Sequence, residues 1–296
     1  MVQIKILSLI FRCNLKRAQI KRQKKFCLIC GKFSKRTNKK EVREFIVVEN
    51  KRLNKTNSLI RIKSQAELPK IRPGQFMNIE IGNCKEIFLR RPFSVFEVDY
   101  ANNLISIIVK VLGRGSAALA EIGINEKLSV IFPLGKEFTM PDKKDNVLLI
   151  GGGSGTAPML FLAKESGLTP ENVHILLGAR SENDHIDVTD YQKYGIIHYS
   201  TDDGSLGEKG FVTQHSVFQN NLKSFDRIYA CGPDAMMKAV AKSAREEGIF
   251  CEVSLENLMA CGFGVCLCCI EPTTRGNLCV CTEGPVFNVN ELKWQI

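Results

Sequence analysis

The sequence predicts an antiparallel β-barrel followed by a doubly wound parallel-sheet α/β domain, with a cysteine-rich segment at the C-terminus. Short apolar runs separated by turn residues fill residues 41–142, and apolar runs alternate with helical stretches over 143–255. Six of the twelve cysteines crowd into 261–281, within the final segment 256–296. The 296-residue chain is long enough for roughly two domains, each with its own core.

Charge separates a basic leader from the rest of the chain. Residues 1–40 carry thirteen Lys or Arg and no acidic residue, whereas the remaining 256 residues carry 28 basic and 31 acidic groups, a net charge of −3. We expect a disordered, solvated leader, although such a segment also suits RNA or anionic lipid. Cys27 and Cys30 in this leader form one C-x2-C unit. Zinc knuckles usually pair two such units, so this one is weak evidence for a metal site.

Cysteine usage and hydropathy predict the compartment. No apolar run reaches the ~20 residues that cross a bilayer, so we expect no membrane contact. The clustering of cysteines favours a metal site in a reducing environment over a disulfide scaffold. Together these features predict a cytoplasmic protein.

In the first domain, candidate strands alternate with turn signals. Pro73-Gly74 and Asn102-Asn103 mark turns, and Ser116 is a suitable cap for a short helix over Ala117–Ile122. Strands at this spacing predict an antiparallel barrel. The candidate strands are Phe45–Glu49, Leu59–Lys63, Phe76–Ile81, Phe93–Glu97, Ile105–Val111 and Leu128–Phe132.

The pattern changes near Asn146. Val147–Ile150 is a continuous apolar run, typical of a strand buried on both faces in a parallel sheet. A glycine loop and a helix follow, and further strands and helices alternate, which predicts a doubly wound nucleotide-binding domain. The later predicted elements are strands Val173–Leu177, Ile196–Ser200, Ile228–Ala230 and Cys251–Leu255, and the helix Ala235–Glu247.

Four cysteines near the C-terminus carry the strongest chemical signal. Cys261, Cys266, Cys269 and Cys281 follow the spacing C-x4-C-x2-C with a distant fourth cysteine, which is the plant-type spacing for a [2Fe–2S] cluster. Two glycines between the first two ligands give the backbone the freedom to wrap a cluster closely. The sequence therefore predicts a [2Fe–2S] site.

Two alternatives stand beside this prediction. The four cysteines also suit a zinc site or ordinary buried thiols, although zinc knuckles usually pair two short C-x2-C units and only one is present here. Cys268 and Cys279 are spare thiols next to the predicted ligands. Cys268 competes with Cys269 for the third position, but its use breaks the spacing.

The glycine loop Gly151–Pro158 reads Gly-Gly-Gly-Ser-Gly-Thr-Ala-Pro and directly follows a predicted strand. Glycines let the backbone approach a pyrophosphate, and Pro158 suits a first helical turn. The loop differs from the G-x-G-x-x-G fingerprint, so a tight structural turn is the alternative. The strand–loop–helix context favours a nucleotide site.

A second short motif, Arg91-Pro-Phe-Ser94, lies at the entry of a barrel strand. An arginine can bind a phosphate bidentately, an aromatic ring can stack on a flat ring, and a serine can bond a ring edge. In an extended tetrapeptide Arg91 and Phe93 share one face. Gly113–Ser116 downstream offers a second phosphate-binding turn, while an ordinary strand start is the simpler interpretation of the first motif.

Together these motifs resemble the ferredoxin–NADP reductase superfamily, in which a barrel binds FAD and an α/β domain binds a pyridine nucleotide. Cys231-Gly-Pro233 fits the position that this superfamily places near the nicotinamide. Three further stretches, Thr201–Thr213, Met259–Cys269 and Cys281–Phe287, resemble the electron-transfer subunits of NAD-dependent dihydroorotate dehydrogenase B. The resemblance covers residues 42–296.

The resemblance implies a set of site residues. The residues implied to contact FAD are Arg91, Pro92, Phe93, Ser94, Ile108, Val109, Lys110, Gly115 and Ser116. The residues expected at the NAD site are Gly152, Gly153, Gly155, Thr156, Pro158, Arg180, Cys231 and Gly232. The cluster ligands fall on Cys261, Cys266, Cys269 and Cys281.

The sequence departs from the family pattern at three places. Phe93 stands where the superfamily often has Tyr, and Glu283 stands where the family usually has Asp before Gly-Pro. The basic leader has no counterpart in the pattern. The choice between NAD and NADP stays open, because Arg180 suits a 2′-phosphate whereas Glu182 argues against one.

The function implied by the resemblance is electron transfer between NAD⁺ and FMN in a catalytic partner that oxidises dihydroorotate to orotate, in pyrimidine (UMP) biosynthesis. FAD and the cluster are the implied cofactors, and the implied assembly is a hetero-oligomer with two copies of each chain. The alternative is the FAD/[2Fe–2S] subunit of a ferredoxin-dependent transhydrogenase, sulfite reductase or hydrogenase. A zinc-stabilised nucleic-acid-binding protein is a remote alternative, because it leaves the Arg91 and Gly151 motifs unexplained.

Overall fold

A computed structural model of the protein describes residues 40–82 and 87–296, so the predictions for the basic leader and for Cys27 and Cys30 lie outside the described residues. The described residues fall in one compact unit. None of their helices is both long and apolar enough to cross a bilayer.

The first described sheet is a curled antiparallel sheet with the strand order β4-β3-β7-β1-β2-β6-β5. Alternate residues face its interior, where Phe45 and Phe132 pack edge to face with ring centres 5.0 Å apart. The predicted antiparallel barrel takes this half-barrel form. Its strands are β1 (Glu41–Arg52), β2 (Asn57–Ser64), β3 (Phe76–Ile79), β4 (Arg91–Ser94), β5 (Glu97–Asp99), β6 (Leu104–Lys110) and β7 (Lys127–Leu134).

The single strand predicted over Phe93–Glu97 is wrong. The chain changes neighbours between the two halves of this stretch: the N–H of Val95 donates to Gln75, whereas the N–H of Phe96 donates to Ser106. The first half therefore pairs with β3 as β4, and the second half pairs with β6 as β5.

The short helix α1 spans Arg114–Ala120, so it begins three residues before the predicted start at Ala117. Gly113 occupies the N-cap position that the sequence assigned to Ser116. The Ser116 hydroxyl accepts hydrogen bonds from the N–H groups of Leu112 at 2.8 Å and Gly113 at 3.1 Å. It therefore closes the preceding turn from inside the helix.

The second sheet is parallel through the order β11-β10-β9-β8-β12-β13 and is flanked by helices, as predicted for a doubly wound domain. The strands β8 and β12 lie side by side where the strand order reverses direction. The bounds are β8 (Val147–Gly152), β9 (Val173–Ala179), β10 (Ile196–Thr201), β11 (Glu208–Lys209), β12 (Arg227–Cys231) and β13 (Phe250–Ser254), with helices α2 (Thr156–Glu165), α3 (Ser216–Asn221) and α4 (Asp234–Glu247).

The cysteine segment returns to this sheet instead of standing apart from it. It forms the hairpin β14 (Ile270–Thr273) and β15 (Gly276–Cys279), the short helix α5 (Val280–Glu283) and the strand β16 (Val286–Asn288). The strand β16 pairs antiparallel with β13 and extends the sheet. The buried side chains of Cys269 and Cys281 share a core with Phe76 and Leu134 of the half-barrel, so the segment packs against both sheets.

Candidate functional site

Arg91 and Gly115, 24 residues apart in sequence, lie side by side in the half-barrel. A Cβ atom added at Gly115 would lie 2.8 Å from the Nε of Arg91. Arg91 also donates from Nη1 to the carbonyl of Leu89 at 2.8 Å. The structure therefore brings the arginine of the first motif against the turn of the second, and a guanidinium beside backbone N–H groups suits a phosphate.

The predicted flavin residues on β6 face opposite sides of the sheet. Val109 is fully buried in the half-barrel core, so only its backbone is available to a ligand. Ile108 points the other way, into a core shared with α2 of the parallel-sheet domain. Lys110 is half-buried, and its Nζ lies 3.1 Å from the position of a Cβ on Gly153. Lys110 thus connects the half-barrel to the glycine loop.

The other residues of the Arg91–Ser94 motif form β4 and are all half-buried. Phe93 packs partly against the half-barrel core. Because its ring keeps an apolar face without a hydroxyl, the departure from Tyr preserves the packing surface and removes one hydrogen-bonding group.

The glycine loop lies at the end of β8, next to the end of β12. Gly151 pairs with Cys231 in register. A Cβ on Gly155 would lie 2.1 Å from the carbonyl oxygen of Cys231, so only glycine fits there. Gly153 adopts a φ of +57°, which glycine accepts without strain. The motif Cys231–Gly232 and the glycine loop are therefore brought together where the strand order reverses, which is where open parallel sheets bind ligands.

The remaining residues expected at the NAD site surround this loop. The helix α2 begins at Thr156 and carries Pro158 in its first turn, and both side chains are buried. Arg180 follows directly after β9 and is exposed. It therefore belongs to the same edge of the sheet as the glycine loop, whereas its neighbour Glu182 lies in a short 3₁₀ turn.

Glu256 is a residue that the sequence did not indicate. Its carboxylate accepts a hydrogen bond from the Ser154 hydroxyl at 3.3 Å and lies 4.0 Å from the Cys231 thiol. Burial raises the pKa of Glu256 above its ordinary value, opposed by the Ser154 hydroxyl and the Lys110 ammonium group. Burial and then Glu256 raise the pKa of Cys231, so this thiol stays neutral. Glu256 is nevertheless exposed to solvent, which limits how far burial can raise its pKa.

The loop from Cys261 to Cys266 carries the first two predicted cluster ligands, and its backbone N–H groups point at the sulfur of Cys261. The N–H groups of Phe263 and Cys266 both lie 3.5 Å from the sulfur of Cys261. Gly262 and Gly264 have φ angles of +77° and +85°, which lets the loop curl around the thiol. Burial alone would raise the pKa of Cys261, but these N–H bonds lower it to about 6. The loop therefore stabilises a thiolate.

The four predicted ligands form two pairs. The N–H of Cys266 lies 3.5 Å from the sulfur of Cys261, and the N–H of Cys281 donates to the sulfur of Cys269 at 3.4 Å. Burial and the Cys269 thiol raise the pKa of Cys281 to about 12. Two thiol pairs suit a binuclear cluster, in which four cysteines serve two iron ions. Across residues 40–82 and 87–296, no group of three or more His, Cys, Asp or Glu side chains is gathered closely enough to hold a metal ion, so the two pairs lie near each other without forming one closed ligand set.

The spare thiols differ in their surroundings. Cys268 is exposed, whereas Cys269 is buried. Cys279 is partly buried, and burial followed by the charges of Cys269 and Cys261 raises the pKa of its thiol. Glu283, which stands where the family usually has Asp, forms an ion pair with Lys136 in which the nitrogen and oxygen are 3.4 Å apart. This ion pair links the cysteine segment to the half-barrel.

Two family models match the chain. Residues 256–293 match the iron–sulfur cluster binding domain of dihydroorotate dehydrogenase B, and residues 149–242 match the oxidoreductase NAD-binding domain. The dihydroorotate dehydrogenase B (NAD⁺) electron transfer subunit of Fusobacterium nucleatum is 36% identical over 86% of this chain and 99% of its own length. The chain belongs to the family of dihydroorotate dehydrogenase B electron transfer subunits.

Other members of the family are similar over most of their length. The Listeria monocytogenes serovar 1/2a subunit is 37% identical, covering 75% of this chain and 87% of its own, and the Shouchella clausii subunit is 34% identical, covering 74% and 86%. As an electron transfer subunit, this chain is an oxidoreductase component that works with a catalytic partner.

Solved structures support the fold. An NADH-dependent reduced ferredoxin–NADP oxidoreductase is 30% identical with a TM-score of 0.75, covering 84% of this chain and 90% of that chain. The ferredoxin reductase of carbazole 1,9a-dioxygenase is 22% identical with a TM-score of 0.63, covering 71% and 67%, and shows the fold alone. The cofactors predicted from the sequence, FAD, a [2Fe–2S] cluster and NAD, agree with the family models and this reductase fold.

Proposed function

We propose that this chain passes electrons between an FMN-containing catalytic subunit of dihydroorotate dehydrogenase B and NAD⁺, through a [2Fe–2S] cluster and FAD, in pyrimidine biosynthesis. The contact between the cluster loop and the half-barrel carries this proposal. Gly262 lies against Asn78 of β3, and β3 pairs with β4, the strand of the Arg91 motif. A cluster in this loop is therefore close to the proposed flavin site.

FAD, when bound, joins two-electron exchange with NAD to one-electron exchange with the cluster. In this proposal Arg91 and the turn at Gly115 hold its pyrophosphate, while the half-barrel supplies packing and hydrogen bonds for the ring system. The proposed FAD contacts are Arg91, Pro92, Phe93, Ser94, Ile108, the Val109 backbone, Lys110, Gly115 and Ser116. The segment boundaries 41–142, 143–255 and 256–296 are part of the same proposal.

The glycine loop and the end of β12 bind NAD in this proposal. Backbone N–H groups of the loop hold the pyrophosphate, and Glu256 and Cys231 border the nicotinamide. Arg180, at the edge of the sheet, contacts the adenosine side. The proposed NAD contacts are Gly152, Gly153, Gly155, Thr156, Pro158, Arg180, Cys231 and Gly232, with Glu256 added.

The catalytic partner docks beside the cluster in this proposal. The cluster-loop surface, made of Leu258, Phe263, Val265 and Leu267, exposes four large apolar side chains around Cys266. Exposed apolar groups this close together are typical of an interface. Because a single electron must leave through the cluster, a partner on this surface has the shortest route to it. We propose two copies of each chain in the assembly.

A reconstitution experiment tests this function. The purified chain, loaded with FAD and its cluster, should reduce an artificial acceptor with NADH and show no activity on dihydroorotate. Mixing it with the FMN-containing subunit from the same cell should give a stable hetero-oligomer, two copies of each by mass, that couples dihydroorotate oxidation to NAD⁺. A mixture that neither associates nor couples these reactions contradicts the pathway assignment.

A matched pair of variants tests the docking surface. Val265→Glu places a charge on the cluster-loop surface, and Val42→Glu places one on β1 at a similar exposure, 74% against 69%. The first should weaken association with the catalytic subunit, and the second should not. Equal effects of the two variants on association would show that the interface lies outside the cluster-loop surface.

The 30% identical ferredoxin–NADP oxidoreductase chain favours a second candidate, electron transfer with ferredoxin. Reduced ferredoxin in place of the FMN subunit distinguishes the two, because only the second candidate predicts rapid electron exchange between this chain and ferredoxin. All eight described cysteines are free thiols, which suits the reducing cytoplasm that we propose as the location.

A further inference from the structure

Asn78 is a fully buried polar residue in β3, where apolar side chains would be expected. Its chain neighbours Met77 and Ile79 face the half-barrel core. Asn78 therefore faces the outer side of the sheet, together with Phe76, which packs in the core that contains Cys269 and Cys281. The polar side chain thus points away from the half-barrel and towards the cysteine segment.

The amide group of Asn78 contacts the first turn of the cluster loop. Its Nδ2 donates a long hydrogen bond, 3.5 Å, to the carbonyl of Cys261. A Cβ on Gly262 would lie 2.7 Å from the same nitrogen, so the backbone of Gly262 packs directly on the amide. Glycine is required at this position both by its φ of +77° and by this contact.

The other half of the amide is unpaired. The Oδ1 of Asn78 is buried and has no hydrogen-bond partner among the described residues. Leaving a buried acceptor unpaired destabilises the folded state, whereas an apolar side chain of similar volume would avoid this loss. Stability of the half-barrel alone therefore does not account for an asparagine here.

We propose that Asn78 is a positioning residue for the [2Fe–2S] cluster. Its N–H group holds the carbonyl of Cys261 and the backbone of Gly262 against the half-barrel. This fixes the turn whose next N–H groups, from Phe263 and Cys266, point at the Cys261 sulfur. Groups outside the ligand set orient metal ligands and tune redox potential in this way. The inference rests on the proposed function, since it assumes a cluster on these cysteines.

The role predicts opposite effects on the folded chain and on its cluster. Asn78→Leu removes the unpaired oxygen, so the cluster-free variant should melt at the wild-type temperature or higher. The same variant should lose its cluster to a chelator about tenfold faster, because the turn is no longer held. Its cluster should have a more negative midpoint potential, since a donor dipole beside the Cys261 thiolate is lost.

Two further variants make the test decisive. Asn78→Ala removes the donor without adding a bulkier side chain or a charge, so it should show the same loss of cluster even if the leucine variant folds poorly. Met77→Leu alters the same strand on its interior face and should leave chelator release and midpoint potential unchanged. All measurements use the purified chain without its partner, by visible absorbance, electron paramagnetic resonance and thermal melting.

The outcomes separate this inference from the proposed function. Wild-type release rates and potentials in both Asn78 variants, or the same changes in Met77→Leu, would overturn the positioning role alone. A wild-type chain that binds no [2Fe–2S] cluster would overturn the proposed function and this inference with it.

Discussion

The hydroxyl of Ser154 donates a hydrogen bond to Glu256 across 3.3 Å, although the two residues are 102 positions apart in sequence. Ser154 lies in the glycine loop after β8, and Glu256 follows β13. The intervening strand β12 ends at Cys231, whose thiol lies 4.0 Å from the same carboxylate oxygen. Three neighbouring strand ends thus place a carboxyl, a hydroxyl and a neutral thiol on one side of the crevice.

This arrangement predicts a role for Glu256 in flavin reduction. A carboxylate beside the nicotinamide stabilises the positive charge that develops as NADH gives up hydride, so Glu256→Gln should slow flavin reduction about tenfold or more. The wild-type rate should rise with pH as Glu256 ionises, at a pH above that of an ordinary glutamate because its pKa is raised. Stopped-flow absorbance across pH measures both, and the variant should show no such rise.

Glu252→Gln is the control, because it removes a second carboxyl four residues before Glu256, at a position that is buried away from the glycine loop's serine. Glu252 lies within β13 and accepts hydrogen bonds from the N–H and the hydroxyl of Thr139 at 2.8 and 2.7 Å. Its replacement should lower thermal stability and leave the rate of flavin reduction unchanged. If the Glu256→Gln variant reduces its flavin as fast as wild type, the nicotinamide does not lie beside Glu256.

Arg91→Ala should purify depleted in FAD. The change removes a charge-assisted phosphate contact worth about 1.5–3 kcal/mol, which corresponds to roughly ten- to hundredfold in affinity. The ratio of flavin to protein absorbance and a titration of the flavin-free variant with FAD measure the effect. An unchanged Kd for FAD would show that Arg91 does not bind the phosphate.

Its neighbour Arg90 provides the matched control. The Arg90 guanidinium donates to the carbonyl and the hydroxyl of Ser129 at 2.6 and 2.8 Å, so it is held within the half-barrel. Arg90→Ala should retain FAD once folding is confirmed by circular dichroism. Gly115→Ala adds a Cβ 2.8 Å from the Nε of Arg91, so it should weaken FAD binding by displacing the arginine.

Local patterns were sufficient to predict much of the fold. Alternating and continuous apolar runs predicted strands such as β2, β6 and β8, because burial on one or both faces imposes those patterns. The end of β4 was not predictable, because it depends on the switch of partner from Gln75 to Ser106. The strand β16 was also missed, since only its pairing with β13 defines three extended residues as a strand.

The same limit applies to the site. The four cluster cysteines follow a spacing that is visible in the sequence, and the structure brings them into two neighbouring pairs. Glu256 and Asn78 carry no such signal. Their partners, Ser154 and the carbonyl of Cys261, lie 102 and 183 positions away, so only the tertiary fold reveals either contact.

The cluster assignment predicts different results for two adjacent cysteines. Cys266→Ser should abolish the electron paramagnetic resonance signal of the reduced [2Fe–2S] cluster, because a ligand thiolate is lost, while NADH still reduces the bound FAD. Cys268→Ser should keep the signal, since Cys268 is exposed and Cys269 is buried next to Cys281. Loss of the signal in Cys268→Ser, with retention in Cys269→Ser, would show that Cys268 and not Cys269 is the third ligand.

Three histidines form a row at one side of the parallel sheet. The Nδ1 of His174 lies 3.0 Å from the Nε2 of His198, and their rings stack with centres 5.2 Å apart. The ring of His215 lies 5.5 Å from that of His198, and its Nε2 is 3.5 Å from a carboxylate oxygen of Glu208. Burial, followed by the charges of His174 and His215, lowers the pKa of His198 to about 4.

This row predicts a loss of stability in mild acid. An unfolded histidine titrates near pH 6.5, so the unfolded chain takes up a proton on His198 before the folded chain does. The stability contributed by neutral His198 is therefore complete above about pH 6.5 and is lost as the pH falls towards 4. His198→Gln should lessen the fall in melting temperature between pH 7 and pH 4.5, by about 2–4 °C if the half-buried ring contributes ~1 kcal/mol. Differential scanning calorimetry of both proteins across this range measures the difference, with Asp202→Asn at an exposed carboxyl as the control, which should leave the slope unchanged. Parallel melting curves for wild type and His198→Gln would show that His198 takes up its proton at the same pH in the folded and the unfolded chain.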